Sequence, residues 1–552
     1  MNQPSEVLGT RITICGVSTQ PGSDPAIPTG SLSGEFILEG QPSGSHALRR
    51  LDAPPGPDTD LALQNWGNLS NILPSQAYPA VLHAIGLCKA AAARANFELG
   101  AFNGLHFAGA EISARAVYES IAEVCLAMAA GQHDHEFVVD VLQGGAGTSL
   151  HMNANEVIAL HANERLLRHL GHVVPGDPAV LPIKSNDIVN YGQSTNDVIP
   201  TAARIGVLSA TESLVTEMLE FESTLRERAS QDEFRTTPLV GRTHLQDAVP
   251  VTMAQVFLGY ADTLAAARRH LEVTSRGLQE CTLGATAVGS GLTSLPGYRE
   301  RVVECLNELL ESSGARYQLR PADNYFATTS SLLPFSAYSN ALATYAVELE
   351  KIANDIRLYA SGPRAGFGEL KLPALQPGSS IMPGKVNPVD PEMLDQTSFI
   401  IQGNALTVAL CARAGQLQLN VMGPTVLWKL SESISLLQNA LGRARRDCFS
   451  HITVNVEGAT ENIERSLVAA TALKPKIGYR ETAAVVREAL KSGTSIREVL
   501  QTKPELCEGA TNIEALTAQI LGTEALLDLT LPPRAPAPIS QPTRRGTSDS
   551  HL

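Results

Sequence analysis

The stretch AYSNALATYAVELEKIANDIRL, residues 337–358, decides the fold class. Its apolar side chains Ala341, Leu342, Tyr345, Ala346, Leu349, Ile352, Ala353 and Ile356 recur every three to four positions, which places them on one face of an α-helix. Glu348, Lys351 and Asp355 fall off that stripe. The same period runs through Ala80 to Leu99, Ala202 to Leu225, Met253 to Leu271 and Met393 to Leu410. Each is a helix of about five turns or more. Such helices suit a bundle whose faces are covered by neighbouring subunits. The expected fold class is all-α, built on a long central helical bundle.

Outward from these helices the composition agrees. In 552 residues, 43% are hydrophobic and only 5% aromatic, so aliphatic side chains fill most of the interior. The length exceeds what one core sustains, and several packed units are expected. We expect an appended, partly disordered N-terminal extension at 1–65, a helical domain at 66–190 and the long-helix bundle at 191–455. A small helical domain at 456–530 and a disordered, proline-rich tail at 531–552 complete the expected division.

A formal charge of −14 and the lack of clustered Lys and Arg argue against a nucleic-acid surface. No apolar run is expected to reach membrane-spanning length, and no charged-then-apolar leader opens the chain, so a cytoplasmic location is expected. Eight scattered cysteines without Cys-x-x-Cys spacing make zinc and disulfide frameworks unexpected. His133 and His135 flank Asp134 like a metal pair but have no third ligand nearby in sequence, and no metal is expected. Neither a Gly-x-Gly-x-x-Gly nor a P-loop sequence follows an apolar strand, and no cofactor is indicated.

Polar segments interrupt the helices. Gly144-Gly145-Ala146-Gly147-Thr148-Ser149 reads either as a helix start capped by Thr148 or Ser149, or as a carboxylate cradle. Gly192-Gln193-Ser194-Thr195-Asn196-Asp197 carries more hydroxyl and amide groups than a cap needs, which favours an anion cradle. Gly378-Ser379-Ser380-Ile381-Met382-Pro383-Gly384-Lys385-Val386-Asn387 combines pliable glycines with hydroxyl, ammonium and amide groups, the make-up of a mobile catalytic lid. Thr243-His244 forms a further polar pair, to be weighed with the other segments.

Read together, these segments resemble the aspartase/fumarase superfamily, in its branch of class II fumarases and aspartate ammonia-lyases. The resemblance covers about residues 80 to 525, and Gly378 to Asn387 is similar to the family's signature loop. It implies a three-domain, all-α aspartase/fumarase-type fold. Gly147-Thr148-Ser149, Gln193 to Asp197 and Ala414 to Asn420 resemble aspartases more than fumarases. Departures are Lys184 to Ile188, where fumarases carry a secondary carboxylate site, Leu150-His151 beside the first loop, and Thr293.

By the same resemblance Ser379 is the general base, with His244 and Lys385 as further catalytic residues. Thr148, Ser194, Thr195 and Ser380 hold the carboxylate beside the abstracted proton. Lys385, Asn387 and Thr243 hold the other carboxylate. Asn196 and His244 lie near the leaving amino group, and Glu392 orients His244. Sites assembled from three chains imply a homotetramer acting on a small dicarboxylate, L-aspartate or fumarate, without metal or cofactor. The alternatives are a fumarate hydratase, a lyase of a substituted aspartate, and a non-catalytic structural relative on the same scaffold.

Overall fold

A computed structural model describes residues 56–66, 69–175, 180–506 and Leu527. The disordered extension and tail expected at the two ends lie almost wholly outside the described residues. The end of the expected extension is ordered, as helix α1 (Pro57–Trp66). Its first turn is fastened by Glu156, whose carboxylate accepts the amides of Asp58 at 2.8 Å and Thr59 at 3.0 Å. A carboxylate on the exposed N–H groups of a first turn satisfies donors that the helix itself cannot.

Beyond it follow α2 (Pro79–Glu98), α3 (Ala114–Ala129), α4 (Thr148–His169) and α5 (Thr195–Ala229). Then come α6 (Met253–Ser275), α7 (Tyr298–Ser312), α8 (Leu333–Tyr359), α9 (Val389–Arg413) and α10 (Gly423–Asp447). The all-α reading holds, since among the described residues strands are confined to short two-stranded ladders. Every residue of the α8 stripe, from Ala341 to Ile356, is fully buried. Helix α10 has an equally regular stripe in Val426, Leu430, Ile434, Leu437, Leu441 and Ala444, all buried.

The described residues group into two compact units, one of those up to Met218 with Ala266–Glu348 and Gln396–Ala440, the other of Leu219–Ala265 with Leu349–Asp395 and those from Leu441 onward. This division differs from the consecutive one expected at 190/191 and 455/456. All of its boundaries fall inside long helices. A helix of 35 residues extends roughly 50 Å, so its ends meet different neighbours.

In the first unit α2 is buried on nearly all sides. Gly86 lets it press on α3, because a Cβ there would lie 2.6 Å from the Cys125 carbonyl oxygen. The expectation that no segment reaches membrane-spanning length needs correction for α5. One window of this helix is long and apolar enough, with a mean hydropathy of 1.2. Two thirds of that window is buried within the protein, which accounts for its composition as a core helix.

The second unit contains an antiparallel hairpin of β1 (Pro238–Thr243) and β2 (Gln246–Thr252), whose register pairs Thr243 with Gln246. A two-residue turn, His244-Leu245, joins them, and both residues have positive φ, 54° and 59°. Hairpin twist favours this geometry, but it normally takes Asn-Gly. A His and a Leu there hold backbone strain on the order of 1–2 kcal/mol each. Strain of this kind collects at functional sites.

Candidate active site

In the first unit the sequence reading of the Gly-rich segment changes in one respect. Neither Thr148 nor Ser149 caps α4: Gly147 takes the N-cap position at φ 94°, so Thr148 is already the first helical residue. The Thr148 hydroxyl instead donates to the Gly145 carbonyl at 2.6 Å. Gly145, Ala146 and Gly147 are left-handed in succession, and Ala146 pays the steric penalty of its Cβ. The resulting tight turn leaves Thr148 exposed at the mouth of the helix.

The second polar segment starts α5. The Ser194 hydroxyl oxygen accepts the Asn196 amide at 3.2 Å, and the Asp197 carboxylate accepts the Ser194 amide at 2.9 Å, a reciprocal arrangement that caps the helix. Asp197 also accepts the amides of Gly284 at 3.2 Å and Thr286 at 2.9 Å. It thereby ties the 284–287 loop to the cap, and the Asn196 side-chain amide donates to the Ala287 carbonyl at 2.8 Å. Burial pushes the Asp197 carboxyl up to about 7, against the pull of its backbone donors and of Lys89. Asp197 is the residue that sequence reading quoted without assigning it a role. A Ser followed three residues later by an acid is a capping-box signal that could have found it.

Thr195 lies beneath this cap, 2.8 Å from Nδ1 of the fully buried His151 on α4. Nε2 of His151 has no hydrogen-bond partner among the described residues. Burial, with Lys89 nearby, holds the imidazole well below its ordinary value, so it is neutral. A neutral ring that donates from Nδ1 leaves the Thr195 hydroxyl proton free to point at an anion. The unfolded chain protonates His151 at its ordinary value while the folded chain resists. Acid therefore favours unfolding below about pH 6.5, by up to about 1.4 kcal/mol per pH unit from this group. His151→Gln should remove that slope, measured by urea unfolding across this range; an unchanged slope would show that other groups set the acid sensitivity.

The second unit carries the other candidates. Thr243 and His244 are exposed at the hairpin tip. The hairpin is anchored by Arg242, whose guanidinium donates two 2.9 Å hydrogen bonds to Glu369 and lies 4.1 Å from the Phe367 ring centre. Glu369 is fully buried and also accepts the Asn462 side-chain amide at 3.0 Å. No local sequence signal links Arg242 to Glu369.

The 378–387 segment is a stapled excursion. Asn387 donates from its side-chain amide to the Gly378 carbonyl at 2.5 Å, and a Cβ on Gly378 would sit 1.5 Å from the Lys385 carbonyl oxygen. Only glycine allows that neck to close. Gly378→Ala should force it open and lower turnover by roughly 10²-fold through misplacement of the loop. Its thermal midpoint should stay near that of the parent, since the tip is exposed. Calorimetry beside a rate assay checks both.

Within the loop the Ser379 hydroxyl oxygen accepts the amides of Ile381 at 3.2 Å and Met382 at 3.0 Å. Two N–H dipoles aimed at one oxygen favour negative charge on it. Ser380 and Lys385 are exposed in the same loop. Glu392 lies in the first turn of α9. No hydrogen bond joins it to His244 among the described residues. The chain thus brings Thr148, Ser194, Thr195 and Asn196 into one unit, and Thr243, His244, Ser379, Ser380, Lys385, Asn387 and Glu392 into the other.

Residues 62–403 match the Lyase family and residues 470–510 the fumarase C C-terminus. An aspartate ammonia-lyase of Pseudomonas aeruginosa is 40% identical over 87% of this chain and 95% of its own length. A class II fumarate hydratase of Thermosynechococcus vestitus is 40% identical over 77% of this chain and 86% of its own. Among solved structures, a fumarate lyase:delta crystallin from Brucella melitensis bound to cobalt is 38% identical. It superposes with a TM-score of 0.76 over 86% of this chain and 96% of that one. On these matches, and on the helical scaffold and loops that carry them, the chain belongs to the aspartase/fumarase superfamily of lyases.

Proposed function

We infer that the chain is a carbon–nitrogen lyase that eliminates ammonia from L-aspartate to give fumarate. The observation that carries this reading is the Ser379 oxygen held by two loop amides. A C–H next to a carboxylate is a very weak acid, so its removal needs a strong base and a site that stabilises the doubly charged aci-carboxylate. The Ser379 oxyanion takes the proton, the C–H electrons form the C=C bond, and the C–N electrons leave with ammonia. Thr148, Ser194, Thr195 and Ser380 hold the carboxylate on which charge builds. Lys385, Asn387 and Thr243 hold the other. Asn196 and His244 face the leaving nitrogen, and since no hydrogen bond joins His244 to Glu392 among the described residues of one chain, the Glu392 that orients His244 comes from a neighbouring copy.

We further propose a homotetramer whose sites combine residues of three chains. Supporting this, α9 exposes Phe399, Ile400, Leu406 and Leu410, large apolar side chains on a long helix that a neighbouring copy would cover. Light scattering of the purified protein reads the assembly. For the activity, ammonia and fumarate are measured together from L-aspartate and, separately, from L-malate. Equal amounts of both products from aspartate alone are expected. Fumarate from malate without ammonia would replace this reading with a hydratase.

A further inference from the structure

Away from these loops, the sequence pair His133/His135 resolves into a different cluster. His133 and Glu136 bracket a short 3-10 turn, Asp134–Glu136, and face His161 on α4. Nδ1 of His133 lies 2.6 Å from Glu136 Oε1, and Nε2 of His161 lies 3.0 Å from each carboxylate oxygen. The ligand-type atoms of these residues all lie within 4.8 Å of one another. His135 is not part of the cluster. The third ligand that the sequence lacked comes from a helix 25 residues further on.

We propose that His133, Glu136 and His161 form a binding site for a divalent transition-metal ion of the Zn²⁺ or Co²⁺ type. Two imidazoles and one carboxylate are the donor set such borderline ions take, and one that Mg²⁺ and Ca²⁺ do not. The protein around the site is built to hold these donors still. Asn153 on α4 donates to the Glu136 carbonyl at 3.1 Å and accepts the Val138 amide at 3.1 Å, clamping the turn from both ends. Nδ1 of His161 lies 3.4 Å from Glu164, so the ring is steered through its second nitrogen while Nε2 faces the site. An outer carboxylate on the far ring nitrogen is the usual orienting device for a ligating histidine.

Glu136 is nearly fully buried, whereas the two imidazoles are partly exposed, which leaves an approach for the ion and for water to complete its coordination. Binding replaces the N–H···O protons between the rings and the carboxylate with the metal, and those protons go to solvent. The site would join the 134–136 turn to α4, upstream of the segment that leads to Gly144 and Thr148. It is a brace rather than a catalytic centre.

The test strips the full-length protein with a chelator and titrates it with Co²⁺, followed by visible absorption, beside His133→Asn and His161→Asn. One Co²⁺ per chain is expected, with binding weakened at least about 10-fold in each variant. Zn²⁺ should raise the thermal midpoint of the parent while Mg²⁺ should not. Should a variant fail to fold, X-ray absorption of the Zn²⁺-loaded parent reads the ligands directly, and two imidazoles with a carboxylate are expected. No binding, undiminished binding in both variants, or a metal shell without imidazole overturns the proposal.

Discussion

Ser379→Ala is expected to lower turnover by about 10³- to 10⁴-fold, the range general-base removal produces, with the fold intact. Among the described residues the Ser379 side chain is tied only to the amides of Ile381 and Met382 in its own loop. Removing one hydroxyl from a half-exposed loop leaves no buried polar group unpaired. The thermal midpoint should therefore stay within about 2 °C of the parent. Substrate affinity should change far less than turnover, because the carboxylate-holding groups are untouched. Initial rates at saturating substrate beside a thermal melt check both halves. A variant that keeps a tenth of the parent rate would remove Ser379 from the role of base.

The second large effect is structural. Glu369→Ala should cost about 3–5 kcal/mol, because it strands the Arg242 guanidinium in an apolar setting against Phe367. The same change frees the hairpin that carries Thr243 and His244, so kcat/KM should fall as well. Arg242→Met combined with Glu369→Leu separates the two consequences. The double variant removes both charges together and should recover most of the stability without recovering the activity. Urea unfolding and steady-state rates on the single and double variants make the comparison. A single-variant cost below about 1 kcal/mol would show that the ion pair does not anchor the hairpin.

The parts that were legible in the sequence are those whose cause is local. Helix α8 announces itself because its buried face is aliphatic, from Ala341 to Ile356. The stripe of α10, from Val426 to Ala444, is as regular and could have been read in the same way. Helix α4 resists such reading, since its interior face includes His151, Asn153, Asn155 and Asn163, polar residues that hydrophobic periodicity counts as exposed. The signature loop is recognisable from its residues, but the neck between Gly378 and Lys385 is a matter of backbone approach that residue types do not encode.

Pairings across long separations lie beyond such reading. Arg242 and Glu369 stand 127 positions apart, and nothing near either names the other. The cap of α4, which the sequence offers to Thr148 or Ser149 as one of two open readings, falls elsewhere for a subtler reason. A left-handed Gly147 can end the turn without a side-chain oxygen, which displaces Thr148 by one position, where its hydroxyl donates to the Gly145 carbonyl. The division into two units is likewise not local, because it depends on which neighbours each end of a long helix meets.

The most direct measurement is the ultraviolet absorbance of fumarate's conjugated double bond, with purified protein offered L-aspartate, L-malate and N-substituted aspartates in parallel, and Ser379→Ala as control. Fumarate from L-aspartate alone, lost in the variant, is the predicted result. Fumarate only from malate or from a substituted aspartate would contradict the substrate, and no fumarate from any of them would contradict the enzyme.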